Sequence, residues 1–327
     1  MIFGLYAEDL GPKQTLKALK SEPDFVWLSN DGERTNQSWR AVFEAKNIDV
    51  LIVGTSRSAR GIEAEAVFRR AANSSGLPLV AVEDYPGNYQ KIEGGCADLL
   101  VVESAAAIAL ADLKFGDKPT TVISGASMRF DHHDLQPTTI SDSKKPPRVL
   151  WIGQPETSAA IISLQNIVPK LQTLGVELLF RAHPRDYGYR KGAYSQLFEK
   201  HLISIQDVSD LDLTEVLVLS PRLSITHFSS LAVELGFKGV PSLYVLYPNA
   251  GRKILRDHVG YSTPLVCKCG GGFVLTEVKD TLATLKRAIF DENSRSSVNS
   301  RFCKYFQVGE NHANAVKKKI LNYLREG

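Results

Sequence analysis

Two polar clusters in the second half of the chain stand where apolar runs end. Val176-Glu177-Leu178-Leu179-Phe180 leads directly into Arg181-Ala182-His183-Pro184-Arg185. Further on, Leu223-Ser224-Ile225-Thr226 leads into His227-Phe228-Ser229-Ser230, followed by a helical stretch from Leu231 to Phe237. In an open α/β sheet, ligands sit outside the carboxyl ends of strands, where helix N-termini turn free N–H groups outward. Two basic side chains, two histidines and a Ser-Ser pair at such ends suit an anion, and a nucleotide phosphate is the first candidate. Ser229 and Ser230 precede the helix, so their hydroxyls and the first N–H groups can hold phosphate oxygens while the helix dipole favours the charge. His183 can donate from either ring nitrogen, and Arg185 adds a charge-assisted fork. Glu234, about one turn into the helix and acceptor-only, can bind both ribose hydroxyls. Taken singly, the serines also fit a plain N-cap and His183-Pro184 a loop turn. Their order within one α/β segment is what favours a nucleotide.

The first half offers carboxylates. A glycine turn, Gly54-Thr55-Ser56-Arg57-Ser58-Ala59-Arg60-Gly61, follows one strand-like run, and Glu83-Asp84 follows the next, Leu79-Val80-Ala81-Val82. A carboxylate at such a strand end can serve as general base. Asp84 ranks first for that role, Glu83 second, and Asp31 of Asn30-Asp31-Gly32 third; the plain alternative for each is a solvated turn acid. His132-His133-Asp134 lies near a linker with no cysteine ligand nearby, so no metal site is expected there.

These residues need elements to hold them. In both halves, short β-rich runs alternate with helical patterns, the signature of βαβ units and parallel sheets. The stretch 132–147, polar and punctuated by prolines, reads as a linker. The expected organisation is therefore α/β with two Rossmann-like domains: residues 1–131, a linker at 132–147, and a second domain at 148–310. Residues 311–327 form an amphipathic basic helix, with Val316, Ile320, Leu321 and Leu324 on one side and Lys317-Lys318-Lys319 on the other. Packing against a domain is its expected role, and contact with an anionic membrane surface is the alternative.

Composition excludes several classes. A net charge of +3 over 327 residues is too small to make nucleic acid the main partner. No apolar run approaches the ~20 residues needed to span a bilayer. The start, Met1-Ile2-Phe3-Gly4-Leu5-Tyr6, reads as a first strand rather than a signal peptide. The four cysteines lack zinc spacing and read as free thiols in a reducing cytoplasm, so a cytoplasmic location is expected.

The two-domain pattern resembles the GT-B glycosyltransferase architecture. His183-Pro184 resembles the His-Pro motif of bacterial sialyltransferases and Kdo transferases, and Ser229-Ser230 their Ser-Ser/Thr motif, both of which bind the CMP portion of the donor. The same pair occurs in CDP-glycerol glycerophosphotransferases. A related pattern occurs in UDP-N-acetylglucosamine 2-epimerases, where a His-Pro precedes a small-residue turn and a helix glutamate, here Glu234. At residue level the resemblance is confined to 176–186 and 223–243. It implies two domains facing a cleft, with the nucleotide on Arg181, His183, Pro184, Arg185, Ser229, Ser230 and Glu234. It also implies a metal-independent, inverting glycosyltransferase without cofactor, acting in surface-polysaccharide or glycan assembly. The donor would be a nucleotide sugar, CMP-linked acidic sugars being favoured, and the acceptor a glycan or lipid-linked glycan. The epimerase resemblance places Glu83 at a catalytic strand end. The sialyltransferase base belongs to an acidic-acidic-glycine motif, from which Asn30-Asp31-Gly32 departs by an amide. The alternatives are a UDP-sugar 2-epimerase or hydrolase, polyol-phosphate transfer from CDP-glycerol, and a non-catalytic nucleotide-sugar binding domain.

Overall fold

A computed structural model describes residues 1–20, 24–29, 35–115, 121–130, 146–200, 205–309 and 311–326. The chain divides into two compact units. One comprises Met1–His132 with Gly309–Gly327, the other His133–Val308. Most of the expected linker, and with it His132, His133 and Asp134, lies outside the described residues, as does Asp31.

The apolar runs of the first unit become six parallel strands: β1 (Phe3–Tyr6), β2 (Phe25–Trp27), β3 (Val50–Val53), β4 (Leu79–Val82), β5 (Leu99–Val102) and β6 (Thr121–Ser124), in the order β2-β1-β3-β4-β5-β6. A parallel sheet is covered on both faces, which is why its central strands read as unbroken apolar runs. Alternate residues serve opposite faces. Phe3, Leu5, Val50, Ile52, Val80 and Val82 share one core with Leu16, Leu19 and Met128. Tyr6 points the other way, into an aromatic cluster with Trp39, Phe43 and Phe68.

Helix His312–Glu326 completes this first unit. Val316 and Ile320 are buried in the core beneath β1 and β3. Lys319 donates to the Ser124 carbonyl at 2.6 Å, Tyr323 to the Asp98 carbonyl at 3.2 Å, and the Lys317 ammonium lies 5.6 Å from the Phe25 ring centre. Two of the three consecutive lysines are thus engaged in packing the helix onto the unit. Among the described residues no helix is long and apolar enough to cross a membrane.

The second unit repeats the plan with β7 (Arg148–Ile152), β8 (Glu177–Arg181), β9 (Ile205–Asp207), β10 (Leu223–Thr226), β11 (Ser242–Val245) and β12 (Phe273–Leu275), all parallel, in the order β12-β11-β10-β7-β8-β9. Val149, Trp151, Leu178, Phe180, Leu223 and Ile225 pack beneath helix Thr157–Thr173, which contributes Leu164, Ile167, Val168 and Leu171. The consequence for function is positional. β7 lies between β8 and β10, so the loop after β7 runs between the two polar clusters picked out by sequence.

Candidate functional site

The loop after β8 is built around His183. Its Nδ1 accepts the backbone N–H of Arg185 at 3.0 Å, and its carbonyl accepts the N–H of Asp186 at 2.8 Å. Because Nδ1 is an acceptor, the ring proton sits on Nε2. Sequence allowed donation from either nitrogen; the turn commits one of them and leaves Nε2 as the single donor. Burial lowers the imidazole's proton affinity, and the neighbouring Arg185 lowers it further, so the ring is neutral at neutral pH. Pro184 gives its carbonyl to Arg190 at 2.7 Å. Arg185 is exposed, whereas the Arg181 guanidinium is anchored on the Leu211 carbonyl at 2.5 Å. Arg181 therefore braces the loop, and Arg185 is the guanidinium open to a ligand.

Asp186, unnoticed in the sequence, fixes this loop. Wholly buried, it accepts the Thr157 hydroxyl, the Tyr189 N–H at 3.1 Å and the Tyr194 hydroxyl at 2.6 Å. Burial and Asp186 together push the Tyr194 phenol up, so it remains a donor to that carboxylate. Gly153, after β7, allows the close approach of neighbouring loops. Its N–H donates to the Arg181 carbonyl at 2.8 Å, and a Cβ there would lie 2.9 Å from the backbone nitrogen of His183.

After β10, Thr226 donates to the Ile152 carbonyl at 3.0 Å and accepts the Ser229 N–H at 3.3 Å. Ser229 is the N-cap of helix Ser230–Phe237, its hydroxyl accepting the Leu231 N–H at 3.3 Å. Ser230 and Glu234 lie in the first turns of that helix, both partly exposed. A helix N-terminus so capped favours an anion.

His227 is different from His183. It is wholly buried, its Nε2 is 2.9 Å from the Ser163 hydroxyl, and its ring meets Trp151 edge-on at 5.5 Å. Burial pushes its pKa down to about 4. Of the two histidines expected to face the anion, His227 does not stand at the loop surface. The strand-end position of His227 turned it inward, under helix Thr157–Thr173.

Glu156 was missed. It occupies the N-cap position of helix Thr157–Thr173, yet its side chain makes no capping hydrogen bond. One oxygen, Oε1, lies 3.3 Å from His258 Nε2, and His258 in turn packs against the Phe228 ring. Burial pushes the carboxyl up, but the His258 hydrogen bond, the carboxyl's own backbone N–H and the fields of His258 and His227 outweigh it and hold it below its ordinary value. His183 also feels its charge. The signal was present: Arg148–Gly153 is a third apolar run ending in a polar turn, Gln154-Pro155-Glu156.

In the first unit, Asp84 follows β4. Its Oδ1 accepts the Asn88 amide at 2.8 Å and the Thr55 hydroxyl at 3.3 Å, and a Cβ on Gly11 would lie 2.4 Å from Oδ2. Burial raises its pKa, against the lowering effects of Asn88 and Arg129. Glu83 is used otherwise: buried, it accepts the Tyr89 N–H at 2.8 Å and the Gly87 N–H at 3.3 Å, ordering the loop behind Asp84.

Beside them stands Glu65, also missed. It accepts the Ser56 N–H at 2.7 Å and hydroxyl at 2.5 Å, and burial pushes its pKa up to about 8. Ser56 in turn accepts the Asp9 N–H at 3.0 Å, tying the loop after β1 to the loop after β3. Arg69, one turn along the same helix, reaches the carbonyls of Gly95 and Gln90. Gly61, Glu65, Phe68, Arg69 and Ala72 lie on the buried stripe of helix Ala59–Ser74, and two ionisable side chains on such a stripe were the legible sign. Among the described residues no cluster of histidine, cysteine or carboxylate side chains could hold a metal ion.

No protein-family model matches the chain and no curated protein matches its sequence. Solved structures do match it. The UDP co-structure of Staphylococcus aureus MnaA aligns with a TM-score of 0.63 at 14% identity, over 99% of this chain and 96% of that one. The UDP-N-acetylglucosamine 2-epimerase of Methanocaldococcus jannaschii, in complex with UDP-N-acetylglucosamine and UDP, gives 0.61 at 13%, over 98% and 99%. The glycosyltransferase SnogD from Streptomyces nogalater gives 0.57 at 11%, over 98% and 100%. The fold is GT-B. At such identities the likeness is one of fold, so site chemistry has to be argued from the residues themselves.

Proposed function

We propose that this chain is a nucleotide-sugar enzyme that transfers a glycosyl group, with the nucleotide held at the carboxyl edge of the β7–β12 sheet. The observation that carries the reading is the neutral, Nδ1-locked His183, whose Nε2–H is left to donate at the same sheet edge as the capped N-terminus of helix Ser230–Phe237. In this reading Nε2–H, the Ser229 and Ser230 groups and Arg185 hold phosphate oxygens, while Glu234 takes the ribose hydroxyls. UDP is preferred to CMP as the nucleotide because the structural neighbours with a named nucleotide ligand carry UDP.

Asp84 is proposed as the base. Its raised pKa places it nearer to neutrality than an ordinary aspartate, which suits proton transfer. The acceptor hydroxyl gives its proton to Asp84, its oxygen bonds to the anomeric carbon, and the bond from that carbon to the phosphate breaks. The electron pair leaves on the nucleotide, where the phosphate contacts stabilise it.

A 2-epimerase or hydrolase is the second reading, favoured by the neighbour of that name. Against it stands Glu83, whose oxygens accept the Gly87 and Tyr89 N–H groups. Incubation with UDP-N-acetylglucosamine alone separates the two: release of UDP without any acceptor would overturn the transferase reading. A calorimetric panel of UDP, CMP, CDP and GDP identifies the nucleotide. No binding by any of them would remove the nucleotide reading altogether.

A further inference from the structure

We infer that Glu156 reads the donor's sugar, accepting a hydrogen bond from a sugar hydroxyl or N-acetyl N–H, and so selects a neutral sugar over a carboxylated one. This rests on the nucleotide-sugar reading above and extends it to the sugar.

Glu156 lies in the loop after β7, the strand between β8 and β10, hence between the His183 turn and the Ser229 turn. The Gly153 N–H bonded to the Arg181 carbonyl draws that loop against the His183 turn.

One oxygen of the side chain is not accounted for by the fold. It stands at a helix N-cap without capping. Oε1 is engaged by His258, while Oε2 is buried and has no hydrogen-bond partner among the described residues. The wholly buried His227 also has a ring nitrogen, Nδ1, without a partner among the described residues, and it lies within the field of the Glu156 carboxylate. A buried polar atom without a partner is costly and rare and calls for an explanation, which the donor sugar supplies in this inference.

The chemistry of that partner follows from the carboxylate. Ionised, it can only accept, so the group opposite Oε2 must donate. Sugar hydroxyls and acetamido N–H groups donate. A sugar carboxylate does not, and it would set two like charges together. The acidic donors favoured by the sialyltransferase resemblance are therefore disfavoured at this loop.

The test is calorimetric titration of the full chain, wild type and the variants E156Q and E156A, with UDP, UDP-N-acetylglucosamine and UDP-glucuronic acid. In the wild type the neutral sugar nucleotide should bind about tenfold or more tightly than the acidic one. In E156Q, which keeps the size and removes the charge, the ratio should shrink to about threefold or less, with E156A behaving likewise and UDP alone binding equally to all three. An unchanged ratio in a folded E156Q, or a wild type that binds UDP-glucuronic acid as tightly as the neutral sugar, would overturn the inference while leaving the nucleotide reading intact. A CMP-linked nonulosonic acid that binds more tightly than CMP would overturn it too. If none of the nucleotides binds, both fall together.

Discussion

The imidazole Nδ1 of His183 accepts the N–H of Arg185 two residues on, so a backbone amide decides which face of the ring donates. The partner is also a nearby positive charge that discourages a second proton on the ring. Affinity for UDP-N-acetylglucosamine, whose phosphates carry no second proton near neutrality, should therefore be level from pH 9 to 7. It should strengthen only below the ordinary histidine value of about 6.5, as the ring becomes a cation. His183→Ala should weaken binding by about 1–3 kcal/mol and abolish that low-pH gain. Calorimetry across pH reads both effects. A wild-type midpoint above 6.5 would show that His183 works as a cation.

Glu65 and His227 should impose opposite pH limbs on stability. The folded protein holds a proton on Glu65 more tightly than the unfolded chain does, so its contribution is full below about pH 4.5 and is lost as pH rises to about 8. His227 resists protonation when folded, so its contribution is present above about 6.5 and is lost as pH falls to about 4. Each limb is of the order of a few kcal/mol. Scanning calorimetry from pH 4 to 9 should show Glu65→Gln flattening the alkaline limb and His227→Gln the acid limb. If either substitution leaves its limb unchanged, that group titrates elsewhere.

Asp84→Asn should lower turnover about 100-fold or more while nucleotide affinity stays at the wild-type value, because the amide keeps the shape and cannot take the proton. Glu83→Gln should act through the fold instead. An amide matches two backbone N–H donors poorly, so the melting temperature should fall. If Glu83→Gln stays fully stable and loses turnover while Asp84→Asn retains it, the epimerase-like position is the catalytic one.

Gly153→Ala tests the loop after β7. The new Cβ would stand 2.9 Å from the His183 nitrogen and 3.1 Å from the Arg181 carbonyl, backbone atoms that cannot swing aside. A loss of about 1–3 kcal/mol in stability is expected from such crowding, together with weaker nucleotide binding as the His183 turn is displaced. Gly175→Ala is the control for a glycine with open space, although its positive φ of 63° carries a strain of its own.

Much of the fold was legible because parallel strands buried on both faces write themselves as short apolar runs, and β1, β3, β4, β7, β8 and β10 all do so. His183, Ser229 and Ser230 were legible for the same reason, since each follows such a run. What the runs could not tell was direction. His183 and His227 occupy equivalent places after their strands, yet one faces a turn and the other lies beneath a helix, a difference set by Ser163 and Trp151 from distant parts of the chain. The uses of Glu83, Arg181 and Glu65 were hidden likewise, because their partners are backbone groups brought near only by folding.

The return of helix His312–Glu326 to the first unit has a consequence for synthesis. The sheet of β1 to β6 leaves the ribosome early, but the helix that supplies Val316 and Ile320 to its core emerges after the whole of residues 133–308. At about 5–20 residues per second that interval is roughly 10–35 s. The N-terminal half must wait with an open apolar face while the second unit, contiguous in sequence, can finish first. The usual N-to-C order of maturation is thereby reversed, and the waiting half is the one that would need a chaperone.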